Sequence, residues 1–101
     1  MNEFSEKSIE TYLRKKVEAF GGKCRKWKSP QNAGVLDRIV QVFGQVWFVE
    51  LKRPDGELSK LQEKEIKWLS DNGYKFEVIA SIKEVDAFML RVLGEALDKT
   101  S

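Results

Sequence analysis

The sequence contains no histidine and one cysteine, Cys24. The first absence excludes histidine-based triads, histidine general bases and the common zinc motifs. The second excludes an internal disulfide and fits a reducing, cytoplasmic setting. A metal in this chain would have to be held by oxygen ligands, which suit Mg, Mn or Ca. The two prolines, Pro30 and Pro54, fall between periodic segments, as chain punctuation does. No apolar run approaches the roughly 20 residues of a membrane span. The opening Met1-Asn2-Glu3-Phe4 lacks the basic and apolar regions of a secretory signal. Repeats, low-complexity tracts and linkers are also missing.

What is present suits one compact domain over residues 1–101, with 42% hydrophobic and 34% charged residues. The net charge of +2 conceals an asymmetry. Residues 1–53 carry 11 Lys/Arg against 6 Asp/Glu, and residues 54–101 carry 7 against 10. A basic first half is compatible with a polyanionic partner.

Ile9, Leu13, Val17 and Phe20 follow helical spacing, with Ser5 as N-cap and Gly21-Gly22 as the stop. Residues 23–28 read as an edge strand whose lysines discourage aggregation, and residues 29–34 as a loop. Two β-rich runs, 36–43 and 46–52, flank Gly44-Gln45, which predicts a hairpin with a two-residue II′ turn. Arg53-Pro54-Asp55-Gly56 makes a turn. Ser59-Lys60-Leu61-Gln62 is a capping box for a helix ending near Asn72, and Gly73 stops it. Residues 74–80 form a strand. Ser81-Ile82-Lys83-Glu84 is a second capping box, followed by a helical stripe of Val85, Phe88, Met89, Val92, Leu93 and Ala96. The order α-β-β-β-α-β-α predicts an α/β fold with a four-stranded sheet flanked by helices.

The chemistry gathers on the hairpin. Side chains alternate along a strand, so Glu50 and Lys52 share one face, while Trp47, Val49 and Leu51 share the core face. With Gly44-Gln45 as the turn, Phe43 pairs with Val46, and Asp37 falls opposite Lys52. Asp37, Glu50 and Lys52 then collect at one end of one face. As charges alone they read most simply as a cross-strand ion pair. The alternative is a hard-cation site, in which carboxylates and substrate phosphates share Mg and the lysine orients the nucleophile. Lys26 and Lys28 share a face of the basic strand and could track phosphates or simply be solvated. Arg38 and Arg53 flank the acidic cluster and could contact a phosphate backbone, which positions without specifying sequence. Cys24 reads as a small buried hydrophobe. Trp47 and Trp68 read as packing residues.

Gly34-Val35-Leu36-Asp37-Arg38-Ile39-Val40, then Val49-Glu50-Leu51-Lys52, then Ser59-Lys60-Leu61-Gln62, resembles the VRR-NUC nucleases of the PD-(D/E)XK superfamily. The resemblance runs from the Ser5–Glu10 helix start to Ser81-Ile82-Lys83-Glu84-Val85-Asp86. One departure is Leu36, where the family usually has proline. It affects backbone shape and not a catalytic group.

The resemblance implies a restriction-endonuclease-like core and a Mg- or Mn-dependent DNA endonuclease that leaves a 5′-phosphate. It implies that Glu10, Asp37 and Glu50 hold the metal together with the Leu51 carbonyl, and that Lys52 assists the attacking water. From its pattern alone, Glu10 is a charge bordering an apolar stripe. Gln62 is placed in the active site by the resemblance and in the cap by its spacing. Stand-alone relatives resemble homodimeric Holliday-junction resolvases of phage or bacterial origin, which implies branched DNA, a homodimer and no membrane association. Trp27, on a strand without a consistent buried face, is the interface candidate. The competing functions are a flap, nick or low-specificity nuclease, and a DNA-binding module without activity.

Overall fold

The computed structural model describes residues 5–29 and 34–100, the side chains of 99 and 100 excepted. Most of the loop expected over 29–34, Pro30 included, lies outside the described residues. The elements are α1 (Glu6–Ala19), β1 (Lys23–Lys26), β2 (Arg38–Val42), β3 (Gln45–Leu51), α2 (Lys60–Asp71), β4 (Phe76–Ile79) and α3 (Ile82–Thr100). This is the α-β-β-β-α-β-α order expected. The four strands make one mixed sheet in the order β1-β2-β3-β4, antiparallel except for the parallel β3–β4 pair. Helix α2 supplies the crossover that a parallel pair requires. No helix among the described residues is long and apolar enough to cross a membrane.

The caps follow their sequence signals. Ser5 Oγ accepts the Ser8 N–H at 3.0 Å. Ser59 and Gln62 complete a reciprocal capping box. The second box forms with one displacement: Ser81 Oγ accepts the Glu84 N–H, but Glu84 Oε1 accepts the N–H of Ala80 instead of Ser81. Alternation along β3 buries Trp47, Val49 and Leu51 against Ile9, Leu13 and Val17 of α1 and Val85, Phe88 and Val92 of α3. Trp47 meets Phe88 edge-on at 5.1 Å. Cys24 packs half-buried against this core, and burial pushes its thiol up to about 11, as an inert cysteine requires.

The hairpin corrects the expected turn. The two turn residues are Phe43 and Gly44, with φ of 52° and 74°, the signs a type I′ turn needs. Phenylalanine pays a steric cost there, and its ring contact with Phe20 at 5.7 Å offsets part of it. Gln45 is not in the turn but opens β3. Its buried amide donates to the Val92 carbonyl and accepts from Trp47 Nε1, which pins the strand to α3. Moving a two-residue turn by one position shifts the pairing by two, so each residue keeps its face. Val42 now pairs with Gln45 and Arg38 with Val49. Continued by one residue, this register sets Asp37 against Glu50, not against Lys52.

Candidate active site

Asp37 sits just before β2 and Glu50 near the end of β3, where the hairpin opens. Each carboxylate accepts a backbone N–H from the opposing strand: Asp37 N–H donates to Glu50 Oε1 at 3.2 Å, and Leu51 N–H donates to Asp37 Oδ1 at 3.4 Å. The strand pairing thus fixes both side chains. Lys52 follows Glu50 by two residues, and its Nζ lies 3.4 Å from Glu50 Oε2. The Lys52 N–H donates to the Ile79 carbonyl at 2.9 Å, which holds the residue beside β4. Ahead of Asp37, Leu36 is fully buried and anchors the segment. Gly34 lies so close to α2 that a side chain there would collide with the Leu61 carbonyl.

A cavity of about 390 Å³ opens at this strand end. Asp37, Arg38, Leu51 and Lys26 line it from the sheet, and Glu6, Lys7 and Glu10 from the first turns of α1. Glu10 is therefore carried to the same cavity as Asp37. It also pairs with Arg14 at 3.8 Å. Glu6 and Lys7 are additions to the residues named from sequence. Their signal was helical spacing, since positions three and four before Glu10 share its face.

Burial raises the carboxyl pKa of both Asp37 and Glu50. The neighbouring Arg38 and Lys52 cations oppose this in part, while Asp37 adds repulsion at Glu50. Glu50 is only 4% exposed. Two partly desolvated carboxylates that resist ionising side by side are chemically suited to a cation. Among the described residues no three acidic groups converge closely enough in this rotamer arrangement to enclose a metal. The candidate donors, the Asp37 and Glu50 carboxylates, Glu10 on the wall of the same cavity and the Leu51 carbonyl, are all oxygen, a donor type that suits Mg or Mn.

The remaining expected residues divide. Arg38 Nη1 donates to the Asp37 carbonyl at 3.0 Å and lies 3.6 Å from Asp37 Oδ2. Its Nε is buried without a hydrogen-bond partner. A donor left unspent beside such a cavity suits an anion. Lys26 lines the cavity; Lys28 lies beyond the end of β1 and is exposed. Arg53 turns away into a two-point pair with Asp55, at 3.3 and 3.1 Å, on the exposed turn after β3. Gln62 Oε1 accepts the Ser59 N–H at 3.0 Å within the capping box, and Gln62 does not line the cavity. Trp68, expected to pack, does so only in part: it stacks on Tyr74 but stays 53% exposed.

No family model matches the chain, and no curated protein matches it. Among solved structures it is similar to one described as a VRR_NUC domain. The two share 29% identity over 83% of this chain and 92% of that one, with a TM-score of 0.78. The chain has the VRR-NUC domain fold. This likeness points to a nuclease of the PD-(D/E)XK type that acts on DNA, a class whose members generally use divalent metals.

Proposed function

We propose that this protein is a Mg- or Mn-dependent DNA endonuclease selective for branched structures, acting as a homodimer. The observation that carries the reading is the Asp37–Glu50 juxtaposition across the hairpin end, with Lys52 beside Glu50. Asp37, Glu50, Glu10 and the Leu51 carbonyl would hold the metal. Once bound, it would supply Lewis-acid polarisation of the phosphodiester and a water of lowered pKa. Lys52 has the position to orient the attacking water and to balance charge developing on phosphate oxygens. Arg38 and Lys26, on the cavity wall, would neutralise the phosphate. Lys28 and Arg53 would act further along the backbone, Arg53 after leaving Asp55. Gln62 would present its amide Nε2 while Oε1 stays in the cap. The product would carry a 5′-phosphate.

Dimerisation is argued from size. About 100 residues must supply a core, a metal site and a substrate groove, and a junction presents two equivalent strands that an isologous pair would match. The outer side of α1 and α3, with Phe20 and the 70%-exposed Leu90, offers an apolar surface for it. Trp27, 39% exposed, is the other interface candidate. A reducing cytoplasmic setting belongs to the same proposal.

The test is cleavage of four-way junctions, flaps and linear duplexes with Mg, with Mn and with chelator. Metal-dependent cutting that prefers the junction is expected, together with a dimer in sedimentation over micromolar concentrations. Metal-independent cutting would overturn the cofactor assignment. Equal cutting of all substrates would favour the low-specificity nuclease.

A further inference from the structure

On the side of β3 that carries Glu50, a second cleft of about 510 Å³ lies between the sheet and α2. Trp27, Phe48, Trp68 and Tyr74 form its walls, with Ser29 and Glu65 as its polar groups. Trp68 and Tyr74 lie nearly parallel, 15° apart, with ring centroids separated by 5.5 Å. Phe48 meets Tyr74 edge-on at 6.2 Å. This ring contact holds the indole of Trp68 in place while leaving about half of it exposed. Burying such a surface only partly is unfavourable unless something covers it.

Two connections join the cleft to the candidate active site. Phe48 precedes Glu50 by two residues on one strand, so the two share a face about 7 Å apart. The Trp27 N–H donates to the Asp37 carbonyl at 2.9 Å. The aromatic cleft therefore begins where the carboxylates end.

Its chemistry selects its occupant. Among the described residues its lining has no cation to offer a phosphate, whereas Lys26, Lys7 and Arg38 line the neighbouring cavity. Flat aromatic walls with one hydroxyl and one carboxylate suit a planar heterocycle with polar edges. Aromatic faces stack bases without regard to sequence, and a base can reach such a slot only when it is unpaired.

We propose that this cleft receives an unpaired nucleobase of the DNA strand whose phosphate lies at the Asp37–Glu50 site. The proposal rests on the nuclease reading for the identity of its ligand. It also supplies a physical source of structure selectivity, since branch points, flaps and gaps offer unstacked bases and intact duplex does not.

Binding of labelled oligothymidylate, and of an abasic chain of equal length, would be measured by anisotropy in chelator, so that nothing is cut. Trp68→Ala is expected to weaken oligothymidylate binding roughly tenfold, while Trp68→Phe keeps most of the affinity. The abasic chain should bind the wild type and Trp68→Ala alike. An unchanged oligothymidylate affinity, or equal loss on both chains, would overturn the proposal. A Trp68→Ala variant that instead dissociates a dimer in sedimentation would also overturn it, by making the cleft a contact between two copies. Cleavage is scored separately. Base-dependent binding by a protein that cuts no DNA with Mg or Mn would remove the nuclease reading and leave the cleft assigned. Cleavage with base-independent binding would remove the cleft alone.

Discussion

The two clefts beside the hairpin end differ in almost every property. Among the described residues, one is lined by charges of both signs with Leu51 as its only apolar residue, and the other is walled by four aromatic rings with Glu65 as its only charge. Both arise from the same strands. Where the β2–β3 ladder opens, backbone groups must be satisfied by side chains, and carboxylates that accept strand N–H groups collect there. Where α2 crosses the sheet, it buries Leu69 and leaves Trp68 at the rim. On the proposed reading, the two clefts divide the two halves of a nucleotide between them: charge for phosphate and cation, rings for the base.

The largest expected effect is at the charged cleft. Asp37→Asn and Glu50→Gln should each abolish metal-dependent cleavage, exceeding the 10–100-fold typical of losing a group one shell further out. The same variants should melt higher than the wild type near neutral pH. Both carboxyls have folded pKa values raised above the ordinary range. The folded protein therefore binds more protons than the unfolded chain between the ordinary carboxylate value and the raised one. Stability from these groups is greatest on the acid side and is lost as pH climbs through the raised values. Thermal melts across mildly acidic to neutral pH would show this slope in the wild type and a reduced slope in either variant. Divalent cation should raise the melting temperature of the wild type alone. A variant that cuts fully with Mg would refute the metal ligands.

A substitution at the boundary should damage both clefts at once. Gly34 touches the α2 backbone at Leu61 and leads into Asp37. Gly34→Ala forces α2 or the segment to move, at a cost of about 1–3 kcal/mol by analogy with overpacking. Chemical denaturation would measure that loss. Cleavage and base-dependent binding should fall together, whereas Trp68→Ala should lower the second far more than phosphate binding.

Salt dependence separates the clefts with a smaller effect. If Lys26 neutralises one phosphate, Lys26→Ala should reduce the slope of log affinity against log salt by about 1. Trp68→Ala should leave that slope unchanged, because stacking releases no counterions. Equal slopes for Lys26→Ala and the wild type would return Lys26 to a solvated edge.

Much of this organisation was legible in the sequence because it rests on local rules. Serine caps, glycine stops and the alternation of Trp47, Val49 and Leu51 place the helices and the core face of β3. The collection of Asp37, Glu50 and Lys52 survived a mistaken turn, since a shift of two in pairing preserves side-chain parity. The turn itself was not legible. Local steric preference puts glycine ahead of phenylalanine at positive φ, but two distant contacts decide: Gln45 bridging to Val92, and Phe43 against Phe20. Trp68, read as a packing residue, packs only in part for a related reason. Its spacing on α2 says which face it occupies, not that α2 covers the sheet only as far as Leu69. Arg53 flanks the acidic cluster in sequence, yet Asp55 two residues later captures it.

The smallest expected effects decide what Gln62 does. Its Oε1 completes the capping box, and the cap leaves Nε2 as the donor that could serve a substrate. Glutamate is equally acceptable at this capping position and is favoured near a helix N-terminus. Gln62→Glu should therefore leave the denaturation midpoint unchanged or slightly raised. It replaces the amide donor with a negative acceptor, so cleavage should fall by roughly 10–100-fold, the range for a supporting polar group. Ser59→Ala should do the reverse, costing about 0.5–2 kcal/mol of stability while the cleavage rate per folded molecule holds. Crossed outcomes of this kind separate the two roles, because each variant breaks one function of the motif and keeps the other. Unaltered cleavage in Gln62→Glu would make Gln62 a helix cap and nothing more.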